Sequence, residues 1–136
     1  MNSNMNGFSP KMTLQEVNRI SILGLAHIGD GVYELLTRTY LCTHGVTAVQ
    51  AMHKKAVSMV NAPAQAAAME KLLPLLTEDE MALYKRGRNA HVNSVPQHAE
   101  LSQYHAATGL EALFGWLYLQ GETDRINRLY AAITEE

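Results

Sequence analysis

The sequence has few of the residues that cross-link or charge a protein. Of its 136 residues only one is cysteine, Cys42, which excludes an intrachain disulfide and any metal site built from several thiolates. Its neighbours Leu41 and Thr43 favour a small buried side chain. Charged residues make up 18% of the chain, below the ~25% usual in soluble domains. This deficit indicates that another subunit covers part of the surface.

The sequence also lacks an excess of positive charge and any long apolar run. Eleven Lys and Arg residues stand against 13 Asp and Glu residues, and this balance alone argues against a nucleic-acid partner. No apolar run approaches the ~18 residues of a membrane span, and the N-terminal residues contain none of signal-peptide length. We therefore expect a cytoplasmic protein with no membrane partner.

Helical patterns run through most of the chain, and no strand pattern is present. Capping-box sequences at 13–16, 47–50 and 77–80 predict three helix starts. Apolar residues predict longer helices over 20–41 and 102–119, and prolines 63 and 74 begin and end another. Residues 87–101 have no periodicity and predict a loop. The prediction is an all-α domain of about six to seven helices over 13–136, with 1–12 as a flexible leader.

The first candidate site residue is Asp30, in an otherwise apolar helix. His27, Asp30, Glu34 and Arg38 follow helical spacing and form one polar stripe. Gly29 and Gly31 flank the aspartate, and each costs a helix about 1 kcal/mol relative to alanine. They indicate that a backbone, a ligand or a metal approaches closely. The alternative is a solvated stripe in which Arg38 offsets the repulsion between Asp30 and Glu34.

Glu111 is the second candidate, in the apolar segment ATGLEALFGWLYL. A buried carboxylate is costly unless it is neutralised, paired or bound to a metal. Two such acids from different helices can hold Mg²⁺, which prefers one or two carboxylates together with water and phosphate oxygens. The alternative is a structural acid paired with Arg38 or a histidine.

Basic residues cluster between 85 and 105, although the whole chain is slightly acidic. Lys85, Arg86 and Arg88 stand against the single Glu100, with three histidines nearby at 91, 98 and 105. A three-histidine metal site is the rival interpretation, but Pro96 would break any helix that aligned them. Lys54 and Lys55 form a smaller basic spot, which is typical of a solvated helix surface.

Three motifs carry a resemblance to a known family. IGDGVYE at 28–34, RGRNA at 86–90 and ATGLEALFGWLYL at 107–119 resemble those of Mini-ribonuclease III, a ribonuclease III catalytic domain that lacks a double-stranded-RNA-binding domain. The resemblance runs from about Ile20 to the last helix. It implies an all-helical homodimer that cuts double-stranded RNA with Mg²⁺, for which Mn²⁺ can substitute, and leaves 5′-phosphate and 3′-hydroxyl ends.

The resemblance also assigns roles to residues. Asp30 and Glu111 match the family's catalytic, metal-binding acids. Larger ribonuclease III enzymes carry two further acids, at positions that are Ala26 and Thr108 here, as is usual in the Mini subfamily. The implied RNA-binding residues are Lys85, Arg86, Arg88, Asn89 and His91.

The implied substrate is precursor 23S ribosomal RNA within the precursor large ribosomal subunit, and a ribosomal protein of that subunit is a further candidate partner. Two other classes remain open from the residues. One is a non-catalytic helical dimer that binds RNA or the ribosome, which the loss of acids at 26 and 108 favours. The other is a nucleotide phosphohydrolase, which would normally show clustered His and Asp pairs.

Overall fold

Seven α-helices form the fold in this computed structural model, which describes residues 7–90 and 101–135. These parts of the chain contain no β-strand, so the all-α prediction is confirmed. In chain order the helices are α1 (Leu14–Val17), α2 (Ile22–Thr43), α3 (Val49–Val60), α4 (Ala62–Leu72), α5 (Glu78–Arg88), α6 (Leu101–Leu119) and α7 (Thr123–Thr134). A short 3-10 helix, Leu73–Leu75, follows α4. No helix in the described ranges is long and apolar enough to cross a membrane.

Helix α6 is the centre of the fold. Nearly every residue between Ala107 and Leu117 is buried or half-buried, because α2, α4, α5 and α7 all pack against it. Such a helix is apolar on all sides, which explains why the segment reads as almost continuously hydrophobic. Its one carboxylate, Glu111, therefore lies close to several other helices.

Glycines let two helices reach the backbone of α6. A Cβ atom on Gly29 would overlap the carbonyl oxygen of Glu111, and one on Gly115 would overlap the carbonyl oxygen of Leu25. A Cβ on Gly87 of α5 would lie 2.9 Å from both Gly109 Cα and Ala112 Cβ. The close approach predicted beside Asp30 is therefore a backbone at Gly29. Gly31 has no atom within 4 Å of a Cβ position and is not part of that contact.

Two of the three predicted capping boxes are formed. Thr13 with Glu16 and Thr77 with Glu80 make both reciprocal hydrogen bonds at the starts of α1 and α5. The predicted box at Thr47 is wrong, because α3 begins one residue later and its N-cap, Ala48, offers no side-chain acceptor. The chain leaves α2 through Gly45 at φ +93°, as a glycine after a helix end predicts.

Two other local expectations are wrong. Cys42 is exposed rather than buried, since it lies on the outer side of the last turn of α2. Helix α5 continues to Arg88, so Gly87 and Arg88 are helical and not part of a loop. Within the predicted leader, Met12 N–H donates to the Leu119 carbonyl, and the Gly7 carbonyl accepts a hydrogen bond from Tyr118. The predicted domain boundary at residue 13 stays a prediction.

Candidate active site

Asp30 lies on α2 at the surface, one residue beyond the contact between Gly29 and α6. The expectation that this aspartate is buried in an apolar helix is wrong, because the polar stripe faces outward. His27 and Arg38 are also exposed and Glu34 is half-buried. Arg38 Nε lies 3.5 Å from Glu34 Oε2, so the arginine pairs within the stripe. Asp30 is therefore open to a ligand from solvent.

Glu111 lies on α6, at the point where α6 packs against α2, and is half-buried. Its side chain is within hydrogen-bonding reach of Asp30. The two carboxyl groups are 81 positions apart in sequence, but the glycine contact between α2 and α6 brings them together. The alternative in which Arg38 pairs with Glu111 is not what the structure shows, because that arginine pairs with Glu34.

The environment of Glu111 favours its protonated form when no cation is present. Burial, the charge of Asp30 and the close approach of the Asp30 carboxyl group together raise its pKa to about 8. The amide of Gln65 acts the other way, toward a lower pKa. Ionising both of two carboxyl groups this close costs free energy, because their negative charges repel each other. A bound cation would offset that repulsion.

The donor set fits a hard divalent cation. Carboxylate oxygens are the ligands that Mg²⁺ prefers, and Mg²⁺ usually takes only one or two of them from the protein. No group of three or more His, Cys, Asp or Glu side chains able to hold a metal ion occurs in the described part of the chain. A cation at Asp30 and Glu111 would therefore keep positions free for water and for a substrate phosphate.

Neither position at which larger ribonuclease III enzymes carry a further acid offers a cation ligand here. Ala26 is buried in α2, where a carboxylate would be expensive. Thr108 Oγ1 donates a hydrogen bond to the Tyr104 carbonyl oxygen at 3.1 Å, so its hydroxyl is turned toward its own helix.

Gln65 is the residue near this site that the sequence interpretation missed. It lies on α4, which packs against α6, with only 2% of its surface exposed, and its amide acts to lower the pKa of Glu111. A sequence signal for it exists. Gln65, Ala68, Met69 and Leu72 share the buried face of α4, so a polar residue stands where an apolar one is expected.

The predicted RNA-binding residues occupy the last turn of α5 and its end. Lys85, Arg86 and Asn89 are exposed, whereas Arg88 is half-buried. The Arg88 guanidinium lies 5.7 Å from the centroid of the Tyr84 ring, and its Nε donates to Asn89 Oδ1 at 3.2 Å. The contact of Gly87 with Gly109 and Ala112 puts this turn beside the part of α6 that carries Glu111. His91 and His98 lie outside the described residues.

Known proteins are similar to this chain over the region that contains the candidate site. The ribonuclease III domain matches residues 23–122. Mini-ribonuclease 3 of Symbiobacterium thermophilum is 41% identical over 113 residues, covering 83% of this chain and 87% of that protein. Mini-ribonuclease 3 of a Thermoanaerobacter species is 39% identical over 132 residues, covering 95% of this chain and 93% of the relative.

A solved structure of a Fusobacterium nucleatum protein has a similar fold. Its TM-score is 0.76 at 30% sequence identity, and the match covers 84% of this chain and 87% of the other. The domain match spans most of the sequence and contains both carboxylates of the site. The chain belongs to the ribonuclease III family and is an endoribonuclease.

Proposed function

We propose that the protein cuts double-stranded RNA with a divalent cation, Mg²⁺ or Mn²⁺, held by Asp30 and Glu111. The observation that carries this proposal is the meeting of these two carboxyl groups where α2 crosses α6, with burial and Asp30 raising the pKa of Glu111 to about 8. The products are a 5′-phosphate and a 3′-hydroxyl.

Asp30 and Glu111 have different surroundings, so each would bind the cation in a different way. Asp30 is exposed on the outer stripe of α2 and can meet a cation that arrives with the RNA backbone. Glu111 is half-buried on the central helix α6, so it would present its carboxylate to the same cation from the protein side. When bound, a divalent ion supplies positive charge for the phosphate and lowers the pKa of a coordinated water.

The last turn of α5 supplies charge for the RNA backbone. Lys85 and Arg86 are exposed there, with Arg88 and Asn89 beside them, and His91 follows outside the described residues. Arginine and lysine bind phosphate oxygens independently of sequence, and A-form duplexes are recognised largely through their shape and backbone. A net acidic protein can hold RNA in this way because its basic residues are concentrated beside the carboxylates.

A homodimer accounts for the apolar residues on the outside of α2. Ile28, Gly31 and Leu35 follow helical spacing and, with Phe8, line a groove of about 440 Å³; we call these four residues the apolar α2 face. Leu35 is 51% exposed and Phe8 is 79% exposed. A two-fold dimer would cover such a surface and present two sites to one duplex.

The resemblance of the motifs to those of Mini-ribonuclease III supports the biological setting. On that basis the substrate is precursor 23S ribosomal RNA, cut in the precursor large ribosomal subunit in the cytoplasm. A ribosomal protein of that subunit is a candidate for presenting the RNA.

Removing the charge of Asp30 tests the reaction directly. The Asp30→Asn protein should bind double-stranded RNA but lose at least roughly a hundredfold in cleavage rate with Mg²⁺, because a cation ligand is lost. Cleavage is measured on a labelled duplex with Mg²⁺ and again with EDTA. Asp124→Asn, which changes an exposed acid in the first turn of α7, is the matched control and should cleave normally.

Two results would contradict the proposal. One is normal cleavage by Asp30→Asn or by the unaltered protein in EDTA. The other is RNA binding by the unaltered protein with no cleavage under any divalent cation.

A further inference from the structure

Arg88 differs from the two other basic residues in the last turn of α5. Lys85 and Arg86 are exposed, whereas Arg88 is half-buried. The Arg88 guanidinium lies 5.7 Å from the centroid of the Tyr84 ring, and its Nε donates to Asn89 Oδ1 at 3.2 Å. Two neighbouring side chains therefore hold this one guanidinium.

The Tyr84 ring is itself held in place by α6. Tyr84 is 5% exposed, and a Cβ atom on Gly109 would lie 2.6 Å from two of its ring carbons. The absence of a side chain at residue 109 thus makes room for the ring. Because Tyr84 and Arg88 are four residues apart on α5, the guanidinium can lie over the ring. The position of the ring is therefore set by α6, the helix that also carries Glu111.

These contacts leave part of the guanidinium available to a ligand. Asn89 uses the N–H group on Nε, and the remaining donors are on Nη1 and Nη2. Those atoms form the planar fork that matches the oxygens of a phosphate. A free arginine side chain loses rotamer freedom when it binds, so an arginine that is already held binds at a smaller entropy cost.

The charge of Arg88 is also available. Two other arginines pair with acids, Arg38 with Glu34 and Arg125 with Glu80. Within residues 7–90 and 101–135, no carboxylate pairs with Arg88 in this way. An anion from solvent can therefore meet the charge of a guanidinium that is already oriented.

We propose that Tyr84 and Asn89 are positioning residues, which hold the Arg88 guanidinium in the orientation that binds a phosphate of the RNA backbone. This inference rests on the proposed function. It gives Asn89 a role through Arg88 in place of a contact of its own with RNA. The packing of Gly87 against α6 puts this phosphate beside the part of α6 that carries Glu111.

A double-mutant cycle separates positioning from direct contact. Each variant is made in the Asp30→Asn protein to prevent cleavage, and the dissociation constant for a labelled double-stranded RNA is measured at one salt concentration. Asn89→Ala should weaken binding roughly threefold or more, because the guanidinium loses one of its two contacts. The same change should have no effect when Arg88 is already alanine, because the residue through which Asn89 acts is then absent.

Lys85→Ala is the matched control for the Arg88 arm of the cycle. It removes a positive charge from the same turn. The Asn89 N–H donates to the Lys85 carbonyl oxygen at 2.9 Å, and alanine at either position keeps that backbone hydrogen bond. In Lys85→Ala, the added Asn89→Ala change should therefore weaken binding by the same factor as it does with Lys85 present.

Tyr84→Leu tests the ring. It keeps an apolar side chain but removes the aromatic face, so it should weaken binding when Arg88 is present and not when Arg88 is alanine. Tyr84→Phe restores the face and should regain most of the affinity. Circular dichroism checks that the variants fold. If Tyr84→Leu does not, the Asn89 cycle decides alone, because Asn89 is exposed and has φ −91°, where alanine is not strained.

The outcomes separate this inference from the proposed function. Unchanged binding by Asn89→Ala or by Arg88→Ala overturns the positioning role. An equal loss from Asn89→Ala with and without the Arg88 side chain also overturns it, because Asn89 then contacts RNA itself. All of these results leave the nuclease proposal standing. An unaltered protein that neither binds nor cuts double-stranded RNA overturns both.

Discussion

The pKa of the Glu111 carboxyl group is raised by some of its surroundings and lowered by others. Burial and the neighbouring Asp30 raise its pKa to about 8, and Gln65 opposes them without reversing the result. In the unfolded chain the same group has its ordinary pKa of 4.5. The folded, metal-free protein therefore keeps a proton that the unfolded chain releases between these two values.

This difference makes stability depend on pH. Between pH 4.5 and about 8 the folded state binds more protons at Glu111, so the free energy of unfolding falls as pH rises. We expect urea denaturation in EDTA to show this fall, and Glu111→Gln to flatten it. Added Mg²⁺ should stabilise the unaltered protein more at the alkaline end of this window, where the cation no longer has to displace a proton.

Glu80 does not contribute to the pH dependence of stability in that window, because its pKa lies below it. Burial alone would raise its pKa, but the hydrogen bonds and charge of Arg125, together with Thr77, lower it below 4.5. Its contribution is therefore lost only in more acidic solution. A fall in stability that is equally steep in Glu111→Gln would contradict the assignment to Glu111.

At the scale of the elements, α5 places the basic residues beside the carboxylates that we propose as catalytic. Its start is fixed by the capping box of Thr77 and Glu80, and Arg125 of α7 donates to both carboxylate oxygens of Glu80 at 2.7 and 2.8 Å. Further along, Gly87 packs against α6. The helix is thus held at both ends, and its last turn projects Lys85 and Arg86 into solvent next to the site.

Replacing the arginines of this turn should weaken RNA binding through charge. For Arg86→Ala with Arg88→Ala, the slope of log affinity against log salt concentration should become shallower by about two, one for each lost phosphate contact. Lys54→Ala with Lys55→Ala removes two exposed charges from α3 and is the matched control. Binding is measured on the Asp30→Asn background to prevent cleavage, and an unchanged slope would remove the arginines from the interface.

At the scale of the whole molecule, the apolar α2 face is a solvent-exposed apolar surface close to the candidate site. It runs along the same helix as the Asp30 stripe, so covering it with a second copy would place two carboxylate pairs in one particle. The shortage of charged residues, at 18%, agrees with such a covered surface.

A charge on this face should disrupt the proposed dimer. Leu35→Glu would place a carboxylate in an apolar interface, where an unpaired charge costs several kcal/mol, and should yield a folded monomer at micromolar concentration. Leu75→Glu, at a similarly exposed leucine after α4, should leave the dimer intact. Light scattering coupled to size exclusion gives the mass. An unaltered protein that is monomeric, or a dimer that persists in Leu35→Glu, would contradict the proposed interface.

Much of the helical layout could be predicted because its causes are local. The boxes at Thr13 and Thr77 involve side chains three residues apart, and the apolar pattern of α6 reflects burial on every side. The predicted box at Thr47 failed because a capping pattern does not say which residue leaves the helix, and the chain enters α3 one residue later. Cys42 was misplaced because its neighbours in sequence do not show which side of α2 faces outward.

The sequence by itself determined the helices, the family motifs and the choice of Asp30 and Glu111, since a carboxylate among apolar residues is visible without coordinates. Only the tertiary structure decided that Asp30 is exposed, that Glu111 faces it across a contact between glycines, and that Gln65 is buried on a third helix that packs against α6. The physical reason is the sequence separation over which the interactions act. Helix caps and periodicity arise from hydrogen bonds and packing within a few residues, whereas the pKa of Glu111 depends on groups that only the packing of α2, α4 and α6 brings together.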